Sequence, residues 1–442
     1  MDKYNKKYIK NVEIEYFTVL FNLNNGKYIA IENNKKDDAG YINKRLDAIN
    51  FYSPKEEFKL AKENIPVITI TLNLSAKCNL KCTYCFRNDN DISQKEISFE
   101  DSVKFIDLIM SNYPYSKHFH IDLTGDGEPL LRFDLIKKII QYTKSISQEG
   151  RTIKVGLCTN GTLLSKEITR FFEDNDIYYG ISIDGPKKLN DHFRKDYSNR
   201  SVYKTIMRNM RNGKSKYRGA AITITNKSSN FVRLFKKLSN HFDVLTLKPI
   251  REESIERGAL DQSNIIRIMD EYTNLYNFLL VETLKLNTWC IVSIIRDEDL
   301  LGKFIRRIIL NQTAMVRCGG GINKFTLSKT NDIYICGAAT QIQELNIGSL
   351  ENGLNESQMK QLFNIQMERA KCSNCWAQYI CGGPCLVHAK NKYNDFAEPD
   401  ETICELNKHL IKLAFLFRET LIRKHRNIFN RVYEICMDNH YR

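Results

Sequence analysis

The chain has 442 residues, of which 42% are apolar and 27% charged. These ordinary globular proportions exclude a largely disordered or low-complexity chain, and the length predicts two or three domains. The net charge of +14 is spread among many acids and no nucleic-acid-binding motif accompanies it. It reads as a basic, solvated surface, with attraction of an acidic peptide as the functional alternative.

Residues 1–62 carry a predicted hairpin: Phe17-Thr-Val-Leu-Phe21 and Lys27-Tyr-Ile-Ala-Ile31 flank Asn24-Asn-Gly26, a strong turn signal, and a short helical stretch follows. This region is either a small peptide-binding element or an extra hairpin packed on the main domain. From residue 66 strands and helices alternate. Strands are predicted at 67–74, 118–124, 153–158, 178–183, 220–225 and 244–248, and helices at 98–113, 133–147, 165–175, 202–212 and 231–242. Such alternation implies parallel βα units, here six, and so an open or partial (β/α)6 barrel over 63–255. Residues 256–312 read as a helical linker with a long helix over 264–286, 313–410 as a cysteine- and turn-rich domain, and 411–442 as a closing helix. No apolar run approaches the about 20 residues of a membrane span, and the N-terminal segment has no apolar stretch behind its charges, so a cytoplasmic address is expected, with neither nucleic acid nor membrane as partner.

Cysteine is the informative residue. In a reducing compartment the thirteen cysteines do not read as a disulfide framework, and close spacing points to metal or iron–sulfur ligation. Strand one runs into Cys78-x3-Cys82-x2-Cys85. Strand two runs into Thr124-Gly-Asp-Gly-Glu-Pro129, strand three into Thr159-Asn-Gly-Thr162, and strand four into Asp184-Gly-Pro186. A parallel βα fold gathers all four loops at the C-terminal mouth of its sheet, where such folds place their chemistry. Three thiolates on one tight loop hold three corners of a cubane and leave the fourth iron open. Zinc usually wants a fourth ligand or water, and the loop offers no nearby His. Cys158, alone on a strand, reads as a core thiol.

These motifs resemble those of the radical S-adenosylmethionine (SAM) enzymes over about residues 66–250. The resemblance implies that Cys78, Cys82 and Cys85 hold a [4Fe–4S] cluster, that SAM chelates its unique iron, and that Tyr84 lies beside the adenine. Gly125-Asp-Gly-Glu-Pro129 is similar to the family's Gly-Gly-Glu-Pro loop, with Asp126 in place of the first Gly. Gly127 and Glu128 are then SAM contacts, Glu128 meeting the amino group. Ser182, Asp184 and Arg194 fall in stretches that in the family serve the ribose and carboxylate; Arg194 reads equally as an exposed helix-start residue.

The second cluster, Cys372-x2-Cys375-x5-Cys381-x3-Cys385 with Cys404 after it and Cys318 and Cys336 before, resembles the SPASM auxiliary-cluster domain. By that resemblance Cys372, Cys375, Cys381 and Cys404 hold one auxiliary cluster, and Cys318, Cys336 and Cys385 another whose fourth ligand is open: Cys290, a non-Cys residue, water or a substrate group. Structural zinc knuckles are the alternative. Asn331 stands where the family usually has Gly, and Asn accepts the left-handed backbone that position asks for. The implied chemistry is reductive SAM cleavage to a 5′-deoxyadenosyl radical that takes hydrogen from a substrate C–H bond. The implied partners are a precursor peptide or protein and a reductase, flavodoxin or ferredoxin as electron donor. The leading expectation is a peptide maturase that installs a C–C, ether or thioether cross-link. The alternatives are a sulfatase maturase forming formylglycine, and a non-catalytic iron–sulfur or zinc protein. Sulfatase maturases carry Asp directly after the cysteine matching Cys336, whereas this chain has Gly337.

Overall fold

A computed structural model describes residues 8–54, 62–85, 96–147, 149–213, 218–251, 254–295, 299–368 and 370–438. In chain order the elements are β1 (Ile9–Ile14), β2 (Phe17–Asn22), β3 (Tyr28–Glu32), α1 (Ala39–Ala48), β4 (Val67–Leu72), α2 (Phe99–Asn112), β5 (His118–Asp122), α3 (Phe133–Ser145), β6 (Thr152–Thr159), α4 (Lys166–Asp174), β7 (Tyr178–Ser182), α5 (Lys187–Phe193), α6 (Tyr203–Asn209), β8 (Arg218–Ile224), α7 (Phe231–Leu238) and β9 (Val244–Pro249). There follow α8 (Ile265–Leu284), α9 (Trp289–Val292), α10 (Leu300–Ile309), β10 (Lys324–Leu327), β11 (Asp332–Tyr334), β12 (Asn346–Ser349), β13 (Gly353–Leu354), α11 (Glu356–Glu368), α12 (Gln378–Cys381), α13 (Leu386–Tyr393), α14 (Glu401–Lys424) and α15 (Arg426–Met437).

Two compact units result. One comprises Leu60–Asn264 and Gly319–Asn364, the other Met1–Lys59, Ile265–Cys318 and Ile365–Arg442. They do not follow the chain order expected of the domains. Part of the cysteine-rich stretch joins the barrel unit, while the helices after residue 264 group with the N-terminal sheet.

In the barrel unit β4 to β9 lie side by side in chain order, all parallel, which is the expected partial (β/α)6 arrangement. On β4, Ile68, Ile70 and Leu72 are fully buried, while the alternate residues Thr69 and Thr71 are partly exposed. This period-2 alternation gives each strand a helix-facing and a lumenal side. Ser98 and Ser165 start α2 and α4 by accepting the backbone N–H of Asp101 and Ile168. Beyond the six strands, β10 adds in parallel to the free edge of β4 (Phe325 opposite Ile70), and β11, β12 and β13 continue antiparallel. Asn331, between β10 and β11, is left-handed at φ 66°, as expected for that position.

In the other unit the predicted hairpin is β2–β3, and β1 pairs on its outer side to give three antiparallel strands. The turn is longer than the two-residue type: Asn22 N–H donates to Lys27 O at 2.8 Å and Gly26 takes φ 77°. Ile29 and Ile31 pack with Ile42 and Leu46 of α1 and with Phe51. Phe415 of α14 sits against Phe21 and Tyr28, with ring centroids 5.7 and 5.2 Å apart. The predicted closing helix is two helices, α14 and α15, broken at His425. Among the described residues no helix is long and apolar enough to cross a membrane.

Candidate cluster and cofactor site

The Cys78–Cys85 loop leaves the C-terminal end of β4 and is fastened by backbone on one side and side chains on the other. Lys81 N–H donates to Lys195 O at 2.7 Å and Thr83 N–H to Phe193 O at 2.9 Å, and Leu80 bridges Asp196. Asn160 Nδ2 donates to Asn79 Oδ1 at 2.8 Å and lies 3.9 Å from Cys78 Sγ. Asn79 Nδ2 in turn donates to Thr162 Oγ1 at 2.8 Å. The motif after strand three is therefore a brace for the cysteine loop. Arg257, which sequence reasoning left in a linker, caps the loop from outside: its Nε and an Nη donate to the carbonyls of Thr83 and Cys85 at 3.0 and 2.7 Å.

The three thiols form one electrostatic group. Burial pushes Cys82 up to about 12; Arg194 opposes this, while Cys85, Cys78 and Asp184 add to it. A thiol raised in this way becomes a stable thiolate only with positive charge supplied beside it, as an iron–sulfur core does.

The Gly125–Pro129 loop packs directly on the approach to Cys78. A Cβ on Gly127 would lie 2.0 Å from Lys77 O and 2.6 Å from Ser75 O, so only glycine allows this contact. Glu128 N–H then donates to Lys77 O at 2.8 Å. The Glu128 carboxylate is buried and accepts from Thr159 Oγ1 at 2.5 Å, Asn160 N–H at 2.7 Å and Leu130 N–H at 3.1 Å. Burial raises its pKa, and these hydrogen bonds partly offset the rise. Two loops expected to converge are thus stitched together, with Glu128 joining strands two and three. Asp126 Oδ2 accepts from Thr340 Oγ1 at 3.4 Å.

Tyr84, Asp184 and Arg194 are also brought together, and they hold one another. Arg194 Nε and Nη2 donate to Asp184 Oδ2 and Oδ1 at 2.9 and 3.1 Å, Tyr84 O–H donates to Asp184 Oδ2 at 2.5 Å, and Thr223 N–H donates to Oδ1 at 3.2 Å. The guanidinium lies 5.3 Å from the Tyr84 ring centroid. Arg194 is 7% exposed, so it is no exposed helix-start residue, and both Asp184 oxygens are engaged by protein donors. The pair fixes the Tyr84 ring and the far end of the cysteine loop. Ser182 instead lies 3.4 Å from Cys158 Sγ. Cys158 is partly exposed on the lumenal face of β6 rather than in the apolar core, because its neighbour Leu157 takes the helix-facing position.

The second cysteine group falls mainly in the other unit. Cys372, Cys375, Cys381 and Cys404 come together there: burial pushes Cys404 up to about 12, and Cys381, Cys372 and Cys375 add to the rise. Asn407 Nδ2 donates toward Cys381 Sγ at 3.3 Å. Asp400 caps α14 through Ile403 N–H and accepts from His388 and Lys392, both at 2.8 Å, which ties the turn carrying Cys385 to the one carrying Cys404. Cys318 is exposed in the same unit, and the chain before it packs on Gly382, whose Cβ would meet Val316 O at 2.5 Å. Cys336 follows β11 in the barrel unit, and Cys290 is buried in α9. Among the described residues no three His, Cys, Asp or Glu groups converge on a point fit for a single ion.

Comparison with known proteins agrees with this geometry. Residues 72–226 match the model of the radical SAM superfamily. A cysteine-type anaerobic sulfatase-maturating enzyme of Clostridium novyi is 24% identical over 79% of this chain and 97% of its own length. An uncharacterised protein of Methanocaldococcus jannaschii is 31% identical over 48% of this chain and 70% of its own. The radical SAM cyclopropyl synthase TigE of Paramaledivibacter caminithermalis is 22% identical over 97% of this chain and 87% of its own. Among solved structures, anSMEcpe with bound SAM and the Cp18Cys peptide aligns with TM-score 0.64 at 20% identity, covering 83% of this chain and 99% of that one. Streptococcus suis SuiB bound to its precursor peptide SuiA aligns with TM-score 0.51 at 15% identity, covering 88% and 96%. At these identities the structural likeness shows the fold. The chain belongs to the radical SAM superfamily, enzymes that use a [4Fe–4S] cluster and SAM.

Proposed function

We propose that this protein is a SPASM-type peptide maturase: it cleaves SAM reductively and installs an intramolecular cross-link in a ribosomally made peptide. The observation that carries the reading is the stitching of the Gly127–Glu128 loop onto the backbone just before Cys78. It sets a buried carboxylate beside three grouped thiols.

In this reading Cys78, Cys82 and Cys85 hold the SAM-binding cluster. Gly127 lets its loop close onto the Lys77 carbonyl, and Glu128 Oε2, which accepts from the Asn160 N–H, would receive the SAM ammonium. The Asp184–Arg194 pair positions Tyr84. When bound, cluster and SAM supply a hydrogen-atom abstractor strong enough for an unactivated C–H bond. Cys372, Cys375, Cys381 and Cys404, grouped in one unit, would hold one auxiliary cluster, and Cys318 and Cys385 of the same unit would serve a second. A cluster held there would give the electron that an oxidised product leaves behind a place to go, and an external reductase, flavodoxin or ferredoxin would be the electron donor.

A peptide substrate is supported by the peptides bound to anSMEcpe and SuiB, and β3, an edge strand of the N-terminal sheet, is where strand addition would place a leader segment. Formylglycine formation is the second reading, favoured by the sulfatase-maturase relative. Gly337 counts against it, since no carboxylate follows Cys336. The test is anaerobic co-expression with a candidate short precursor peptide, followed by mass spectrometry. Loss of two hydrogens with fragment ions that show two residues joined supports a cross-link, since a Ser oxidised to the aldehyde loses two hydrogens as well. A Cys or Ser converted to formylglycine supports the second reading, and an enzyme that releases no 5′-deoxyadenosine contradicts both.

A further inference from the structure

One polar side chain at the mouth of the barrel has no task in the fold. Asn73 follows β4 directly, five residues before Cys78, and is 2% exposed. Its backbone N–H donates to Leu327 O at 3.2 Å, so the main chain is satisfied. Its carboxamide is not: neither Oδ1 nor Nδ2 has a hydrogen-bond partner among the described residues. A buried amide left without partners costs stability in full. Such a group is kept where something outside the chain completes it.

The surroundings indicate what that is. Asn73 continues the lumenal side of β4 set by Thr69 and Thr71 rather than the helix-facing side of Leu72. Two glycines flank it. The Cα of Asn73 would lie 3.3 Å from a Cβ on Gly125, so the cofactor-side loop presses close. On the other side, its own chain neighbours apart, a Cβ on Gly337 would meet Asn73 Oδ1 at 3.8 Å and no other atom within 4 Å among the described residues, so Gly337 leaves space beside the carboxamide. Thr340 Oγ1, which donates to Gly337 O at 3.1 Å and lies 3.4 Å from Asp126 Oδ2, makes that space polar.

We infer that Asn73 is a substrate-positioning residue: its carboxamide pairs with one peptide group of the substrate, Oδ1 accepting the N–H and Nδ2 donating to the carbonyl, in the space that Gly337 leaves open. The group offers one donor and one acceptor side by side, which is what a secondary amide of an extended peptide presents. A carboxylate or phosphate ligand would call for donors alone. This inference rests on the peptide reading above and adds to it the site where the peptide backbone is gripped.

The test uses the full chain with its clusters reconstituted and, as probe, the short peptide that the co-expression above finds modified. Asn73→Leu keeps the shape and removes both polar atoms. It should unfold at the same or a higher urea concentration than wild type, because an unpartnered buried amide is gone. It should release 5′-deoxyadenosine from SAM at the wild-type rate without peptide. With peptide it should form about tenfold fewer modified molecules per 5′-deoxyadenosine, the worth of one lost hydrogen bond or more. Asn73→Gln, which keeps the amide on a longer arm, should recover part of the coupling. A variant less stable than wild type shows that the carboxamide serves the fold, and overturns the inference. Lost SAM cleavage without peptide assigns Asn73 to the cofactor instead, and unchanged coupling leaves it no role; either result overturns it too. Wild type that releases no 5′-deoxyadenosine defeats the radical reading itself, a failure distinct from these.

Discussion

Gly127→Ala probes the junction between the two loops most sharply. The added methyl would stand 2.0 Å from Lys77 O and 2.7 Å from Lys77 C, both backbone atoms that cannot turn aside. Non-bonded heavy atoms rest about 3.5 Å apart, so the loop must retreat by more than about 1 Å. The retreat breaks the 2.8 Å bond from Glu128 N–H to Lys77 O, worth about 1 kcal/mol, and adds about 1–3 kcal/mol of overpacking. A loss of about 2–4 kcal/mol should be visible in urea unfolding. Displacing a positioning group by about 1 Å costs about a hundredfold in rate, and release of 5′-deoxyadenosine should fall by about that factor. Iron content and the dithionite-reduced spin signal should persist, because the three cysteines are unaltered. The assay is anaerobic chromatography of 5′-deoxyadenosine beside iron quantification on the same sample. Wild-type cleavage by this variant would refute the proposal that the two loops act as one site.

Other consequences follow from the same geometry. Arg194→Lys keeps the charge but loses the fork that spans both Asp184 oxygens, and should lower stability by about 3 kcal/mol, measured by urea unfolding of the apo-protein. Burial raises the Glu128 pKa above its ordinary 4.5, so the folded state disfavours the ionised form. Its contribution to stability is therefore fully present below that ordinary value and is lost as pH rises through the raised one. Glu128→Gln should flatten this part of the pH–stability curve of apo-protein, and parallel curves for variant and wild type would remove the assigned burial effect. Cys372→Ala should lose modified product while still cleaving SAM, and equal loss of both would make the auxiliary site a structural support only.

Much of the barrel was legible because its signal is periodic. Ile68, Ile70 and Leu72 against Thr69 and Thr71 announce a half-lumenal strand, and the strands after it alternate with helices, of which α2 and α4 carry serine caps. The cysteine and glycine loops were legible from spacing, since Gly127 has to be glycine for backbone reasons that leave a trace in the sequence. The strands β10 to β13 were not, being two to four residues long and set among turns. Their place in the sheet comes from the free edge of β4, a tertiary fact. Arg257 carries no motif and reaches the cysteine loop through a chain reversal that periodicity does not encode. For Cys158 the isolated thiol suggested a core position, whereas the phase of β6 turns it toward Ser182. Asn73 illustrates the converse: a plain residue in the sequence becomes conspicuous only when its burial and missing partners are known.

The central claim is that Cys78, Cys82 and Cys85 hold a cluster with an iron free for SAM. Protein in which all three are replaced by alanine, reconstituted with iron and sulfide and reduced with dithionite, tests it directly against wild type. The account predicts that the variant retains the auxiliary iron and its low-temperature spin signal, yet releases no 5′-deoxyadenosine from SAM. Continued release by the variant, or a colourless wild-type protein with no spin signal, would contradict it.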